Sequence, residues 1–191
     1  MKRILTFVLA ALLALSLCAC GDRGSDIVVQ DGMKLAGHDA GNEAVPFNFT
    51  YPEEWDLVRN DGVIELQTDC DDSDTTAQYA TITVLTFSLV ESDKTAKEYW
   101  AEHEAEVKGI YSDYKLLDTE EYNDPDKYLD DAPALKVKYQ GAINGKSYVN
   151  EQIICMRYGE LYLITLVTPA DFADKTKDTM AAIKANFKFV K

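Results

Sequence analysis

The sequence predicts an α+β fold in which a mainly antiparallel sheet is covered on both faces. Three observations carry this. A strong two-residue turn signal, Asn144-Gly145, joins two runs that are apolar on both faces. Residues 80–90 (ATITVLTFSLV) are rich in β-branched residues and carry no charge, which suits a central strand. Two capped segments show the spacing of amphipathic helices. With 191 residues, 47% of them hydrophobic, the chain is long enough for one domain with a real core. Acids outnumber bases 33 to 19, a formal charge of −14, which argues against a nucleic-acid partner.

The N-terminus reads as an export signal with a lipid handle. Lys2 and Arg3 precede an uncharged stretch, Ile4 to Leu17, of 14 residues. A bilayer span needs about 20 residues, so a secretory signal fits better than a membrane helix. The stretch ends in Leu17-Cys18-Ala19-Cys20-Gly21, which resembles the bacterial lipobox. Cys20 fits that pattern; Cys18 fits it less well, because Leu17 would fill the small-residue position. The thiol of Cys20 would carry diacylglycerol, and two acyl chains give stable anchoring. The alternative is an ordinary signal peptide with incidental cysteines. Lipidation makes residues 1–19 a signal peptide and places the protein on the outer side of a bacterial cell membrane. The mature chain then holds 17 basic and 33 acidic residues, a net −16, and such a body stands off anionic headgroups. Residues 20–45, with five glycines and five acids after the cysteine, read as a tether. Met33-Lys34-Leu35 is an apolar island able to add an edge strand.

The body spans 46–191. Phe47-Asn48-Phe49-Thr50-Tyr51 alternates and stops at Pro52, with Trp55 just beyond. Val63-Ile64-Glu65-Leu66 follows the Asp61-Gly62 turn as a second strand. After the strand at 80–90, Thr95 and Glu98 form a capping box. Ala96, Tyr99, Trp100, His103 and Val107 make the apolar stripe of the helix behind it, and Gly109 is a suitable stop. Glu98, Glu102 and Glu106 form a separate solvated stripe. Residues 118–131 hold seven acids and one base and read as an exposed loop. The Asn144-Gly145 hairpin pairs Tyr139 with Asn150, Lys138 with Glu151, Val137 with Gln152 and Leu135 with Ile154. A second turn at Gly159-Glu160 pairs Met156 with Leu163 and Cys155 with Ile164. The last helix starts at Thr168-Pro169-Ala170-Asp171 and buries Phe172, Thr176, Met180, Ile183 and Phe187.

The strings VPFNFTYPEEW, YVNEQIICMRYGELYLITLVTP and IKANFKFV together resemble the PsbP-like lipoproteins, a family of the PsbP/Mog-like fold. The matching positions are Phe49, Pro52 and Trp55, then Gly159, Leu161, Tyr162, Ile164 and Thr165, then Asn186, Phe187 and Phe189. The resemblance covers roughly residues 33–191. It implies a three-layer sandwich: a twisted, mainly antiparallel sheet with helices on both faces. It implies no photosystem role.

No catalytic constellation stands out. A serine triad needs a histidine base, and the chain has two histidines. His38 sits in the tether, and His103 lies on the helix stripe as a packed residue. No cofactor is expected. Asp69, Asp71, Asp72 and Asp74 offer hard oxygen ligands for Ca²⁺. The EF-hand template fails, because Asp74 stands at its sixth position and Ala80 at its twelfth, and a solvated acidic turn explains the cluster more simply. Cys70 and Cys155 are the remaining thiols, and export permits a bridge between them. Closing that loop of about 85 residues would stabilise by ~4–5 kcal/mol on the chain-entropy model. The sequence thus predicts a membrane-anchored, non-catalytic domain that binds a protein partner or stabilises an assembly. A Ca²⁺ or small-ligand carrier using the acidic loops is the alternative.

Overall fold

The computed structural model describes residues 27–70, 78–88 and 93–190. Cys18, Cys20, Asp71, Asp72 and Asp74 lie outside them. Strands β1 (Met33–Gly37), β2 (Phe47–Pro52) and β10 (Lys188–Phe189) form a small sheet in the order β1-β2-β10. A seven-stranded sheet has the order β3-β4-β5-β9-β8-β7-β6. Its strands are β3 (Asp56–Asn60), β4 (Val63–Asp69), β5 (Tyr79–Ser88), β6 (Ser112–Tyr122), β7 (Ala134–Ile143), β8 (Lys146–Arg157) and β9 (Glu160–Pro169). All its pairings are antiparallel. Helix α1 (Ala96–Ile110) joins β5 to β6, and helix α2 (Thr179–Ala185) precedes β10.

The first hairpin forms in the register its turn dictates. Asn144 and Gly145 take φ of 51° and 77°, the two positive values a type I′ turn needs. Tyr139 pairs with Asn150, Lys138 with Glu151, Val137 with Gln152 and Leu135 with Ile154. Lys138 and Glu151 meet at 3.7 Å across the ladder. The second hairpin departs from expectation. Its central residues are Tyr158 and Gly159, at φ 53° and 78°, so Cys155 pairs with Tyr162 and Met156 with Leu161. Glycine takes the second turn position here, as it does in Asn144-Gly145, and this pulls the turn back by one residue. The partner of each β8 residue moves by two positions, so every side chain keeps its face.

The two faces feed two cores. Leu135, Val137, Tyr139, Ile154, Leu161 and Leu163 cluster with Tyr99 and Trp100 of α1. Residues of the opposite parity, including Ile153, Cys155, Tyr162, Ile164 and Leu166, cluster with Phe47 and Phe49 of β2, Met180 and Ile183 of α2, Phe187 and Phe189. Aromatic rings knit the second core: Phe47 stacks on Phe187 at 5.3 Å, and Phe189 meets Tyr162 edge-on at 4.8 Å. In β5, Ala80, Ile82 and Val84 are buried in that core, while Leu85 packs against the first.

Several elements differ from their sequence reading. Within the stretch read as tether, the apolar island at Met33–Leu35 does add an edge strand, β1, and Val45 is buried as well. The acidic stretch 118–131 is not all loop, because β6 runs to Tyr122 as an exposed edge strand. Charged residues are how a sheet edge stays soluble, and they hide the strand from a periodicity argument. The closing helix starts about ten residues late. β9 continues through Pro169, a short 3₁₀ turn covers Ala170–Phe172, and α2 begins at Thr179. Thr168 makes no cap; it pairs with Val149 in the ladder, and its hydroxyl meets that of Thr176 at 3.0 Å. Thr176, Met180, Ile183 and Phe187 are buried as expected, and Phe172 is partly buried. The Thr95–Glu98 capping box of α1 is complete, but the helix passes Gly109 and ends at Ile110, with Tyr111 as its C-cap.

Tyr111 explains a glycine in β7. A Cβ on Gly141 would sit 2.5 Å from the Tyr111 Cβ, while the Tyr111 hydroxyl donates to the buried Asn150 Oδ1 at 2.9 Å. Gly141→Ala is therefore expected to destabilise by about 1–3 kcal/mol, measured by urea unfolding. Gly109→Ala, in open space on α1, is expected to be neutral or slightly stabilising in the same assay.

Candidate binding grooves

The residues proposed for chemistry from sequence are mostly absorbed by structure. His103 Nδ1 lies 2.8 Å from a Glu106 oxygen, and its ring sits 4.1 Å from that of Tyr99. His38 Nδ1 is 2.9 Å from an Asp39 oxygen. Of the four aspartates proposed for Ca²⁺, only Asp69 is described; it ends β4, exposed, and no group of three ligating side chains forms among the described residues.

Cys70 and Cys155 are free thiols, both fully buried in the second core. The ladder keeps them apart. Cys155 aligns through Tyr162 with Thr86 of β5, whereas the Cys70 amide donates to Gln78. Those two places on β5 differ by eight residues, about 26 Å at ~3.3 Å per residue. A bridge needs Cα atoms within about 7 Å, so the expected Cys70–Cys155 pairing does not form. Burial pushes the Cys155 thiol up to about 12 and raises that of Cys70.

The acids of 118–131 act as clasps. Asp131 takes both nitrogens of a forked contact from Arg157, at 2.9 and 2.8 Å. Asp130 accepts from Lys188 Nζ at 2.7 Å and from the Phe189 amide at 3.1 Å, which fastens the loop to β10. Glu121 accepts from Lys97 at 2.6 Å and ties β6 to the start of α1. Sequence reading found these acids but not their partners, which lie 24 to 59 residues away along the chain.

One groove, of about 380 Å³, opens where the start of α1 meets the β8–β9 turn. Lys97, Glu121, Leu135, Met156, Arg157 and Tyr158 help line it. Tyr158 is 87% exposed on a tight turn. The Arg157 guanidinium lies 4.4 Å from its ring centroid and 4.2 Å from that of Phe189. A solvent-facing Tyr–Arg pair beside a groove floored by Leu135 and Met156 has the residue types enriched in interface hot spots. Beyond the turn itself no local pattern marks this pair, because exposure depends on where the hairpin ends.

This architecture is that of an α+β protein with the PsbP-like fold. The solution structure of cyanobacterial PsbP (CyanoP) from Synechocystis sp. PCC 6803 is similar at 16% identity and a TM-score of 0.51, over 91% of this chain and 99% of that one. A protein of unknown function from Pseudomonas aeruginosa, described as a putative regulator, is similar at 16% identity and a TM-score of 0.50, over 78% and 91%. LpqN of Mycobacterium tuberculosis, described as involved in cell envelope biogenesis, aligns at 14% identity with a TM-score of 0.41, over 90% and 88%. No protein-family model and no curated protein matches the sequence. No helix among the described residues is long and apolar enough to cross a membrane.

The buried thiols give a pH signature. In the unfolded chain Cys155 ionises near 9; in the folded protein it holds its proton to about 12. Its contribution is present below pH 9 and is lost as pH rises toward 12, so stability is expected to fall across that window. Melting temperature against pH for the parent and Cys155→Ala checks this, the variant showing the shallower fall. A thiol reagent at pH 8 is expected to label neither cysteine until urea is added.

Proposed function

We propose that the protein is a lipid-anchored, extracytoplasmic accessory domain that binds a protein partner or stabilises an assembly, without catalysis. The fold is read as three layers: α1, then the large sheet, then β1-β2-β10 with α2. The observation that carries the function is the exposed Tyr158 on Arg157, held at the rim of a groove by the Asp131 fork. Partner binding uses exposed aromatic and arginine side chains of this kind. Each histidine lies on the surface with Nδ1 beside a carboxylate, and among the described residues no hydroxyl or thiol is hydrogen-bonded to either ring, so neither is set against a nucleophile. The lipobox at Cys20 supplies the anchor, and residues after it supply the reach.

Two measurements test this. Metabolic labelling with an alkyne fatty acid is expected to mark the parent and to leave Cys20→Ala unmarked and released from the membrane fraction. Labelling that persists in that variant defeats the anchor. In-cell crosslinking is expected to recover a protein partner whose yield falls at least about fivefold in Tyr158→Ala, at unchanged melting temperature. Undiminished crosslinking would move the docking site elsewhere.

A further inference from the structure

A second groove, of about 480 Å³, lies on the other face of the sheet, between β6–β8 and α2. Its floor is a charged patch of the ladder. Asp118, Lys138 and Glu151 stand in one row across three strands, and Glu120, Lys136 and Ile153 stand in the next. Lys127 reaches in from the loop after β6, and Lys177 and Lys184 from the α2 side. Five lysines and three carboxylates therefore line this groove in a chain whose net charge is −14.

Pairing inside the groove is incomplete. Glu120 serves two ammonium groups, Lys136 at 2.8 Å and Lys127 at 3.4 Å, and Lys138 faces Glu151 at 3.7 Å. Lys177 and Lys184 have no carboxylate partner among the described residues. The Lys184 ammonium instead rests 4.3 Å from the centroid of the buried Tyr122 ring, which fixes its place at the groove wall. Its pKa is lowered by burial; of the charges around it Glu120 acts most strongly and raises it, while repulsion from Lys127 and then Lys136 lowers it. An anion entering the groove would relieve that repulsion.

We propose that this groove binds a phosphate group. Ammonium groups approach from three separate elements, and a phosphate presents terminal oxygens in several directions, each able to take one N–H donor. A carboxylate is planar and is best matched by an arginine fork, and no arginine lines the groove. The volume suits a small phosphorylated compound or one headgroup. A nucleic acid is disfavoured, because the acidic body repels a long polyanion. A small ion meets mainly the charges within a screening length of about 8–10 Å. The assignment stands independently of the anchor and of the Tyr158 surface.

The test is calorimetric titration of the full chain, in a non-ionic detergent, with inorganic phosphate against chloride at equal ionic strength. The expected result is saturable binding with Kd about 1 mM or tighter. Lys184→Gln is expected to weaken it about tenfold or more, and Glu120→Gln, which removes the internal competitor, to tighten it. Lys177→Gln, an exposed change, is expected to weaken it and keeps the test decisive if the Lys184 variant does not fold. Phosphatidylglycerol vesicles that displace phosphate assign a lipid headgroup; vesicles that do not displace it assign a soluble phosphate compound. No saturable heat up to about 20 mM phosphate, or binding undiminished in both lysine variants, overturns the proposal.

Discussion

The Asn144-Gly145 turn is the constraint on which the rest depends. A two-residue turn with both central φ positive admits one register, and that register assigns every side chain of β7 and β8 to a face. β9 inherits the assignment through a second turn of the same kind. Both faces are then apolar over much of their length, the charged rows around Lys136 and Lys138 apart, so each must be covered. α1 supplies Tyr99 and Trp100 to one; β2, α2 and β10 supply a stacked aromatic cluster to the other. A shift of one residue in the first hairpin would carry Lys136 and Lys138 into the first core and Val137 out of it.

An excess of acid is turned to structural use. Asp130 and Asp131 close a loop onto the last strand and the second hairpin, and Glu121 joins β6 to α1. These are partly exposed ion pairs, each worth little alone. Their value lies in what they join, since each links segments far apart in sequence. The second groove reverses the usual balance: lysines gather there because α2 and the β6–β7 loop both deliver them to the charged face of the ladder.

One turn and one cap were legible in the sequence. The first hairpin register, the capping box of α1, the strands at 47–51 and 63–66 and the buried stripe from Thr176 to Phe187 all followed from local pattern. Three things were not legible. β6 is an edge strand whose residues are mostly exposed, so no alternation marks it. The start of α2 is masked because Thr168-Pro169 looks like a cap, while the ladder with β8 holds those residues extended. The grooves arise from residues on distant elements, such as Lys97 with Tyr158 or Lys136 with Lys184, and only the completed fold brings them together.

The small sheet has a mechanical consequence. β2 lies between β1 and β10, so the first and last strands of the domain grip one partner, and Val190 extends the grip through its amide to Pro46. A pull on the chain ahead of Met33 loads the five residue pairs of β1 with β2 before it reaches either aromatic core. Among the described residues the seven-stranded sheet shares no ladder with these three strands, so a load taken up by β1 passes to β2 and not directly to the larger sheet.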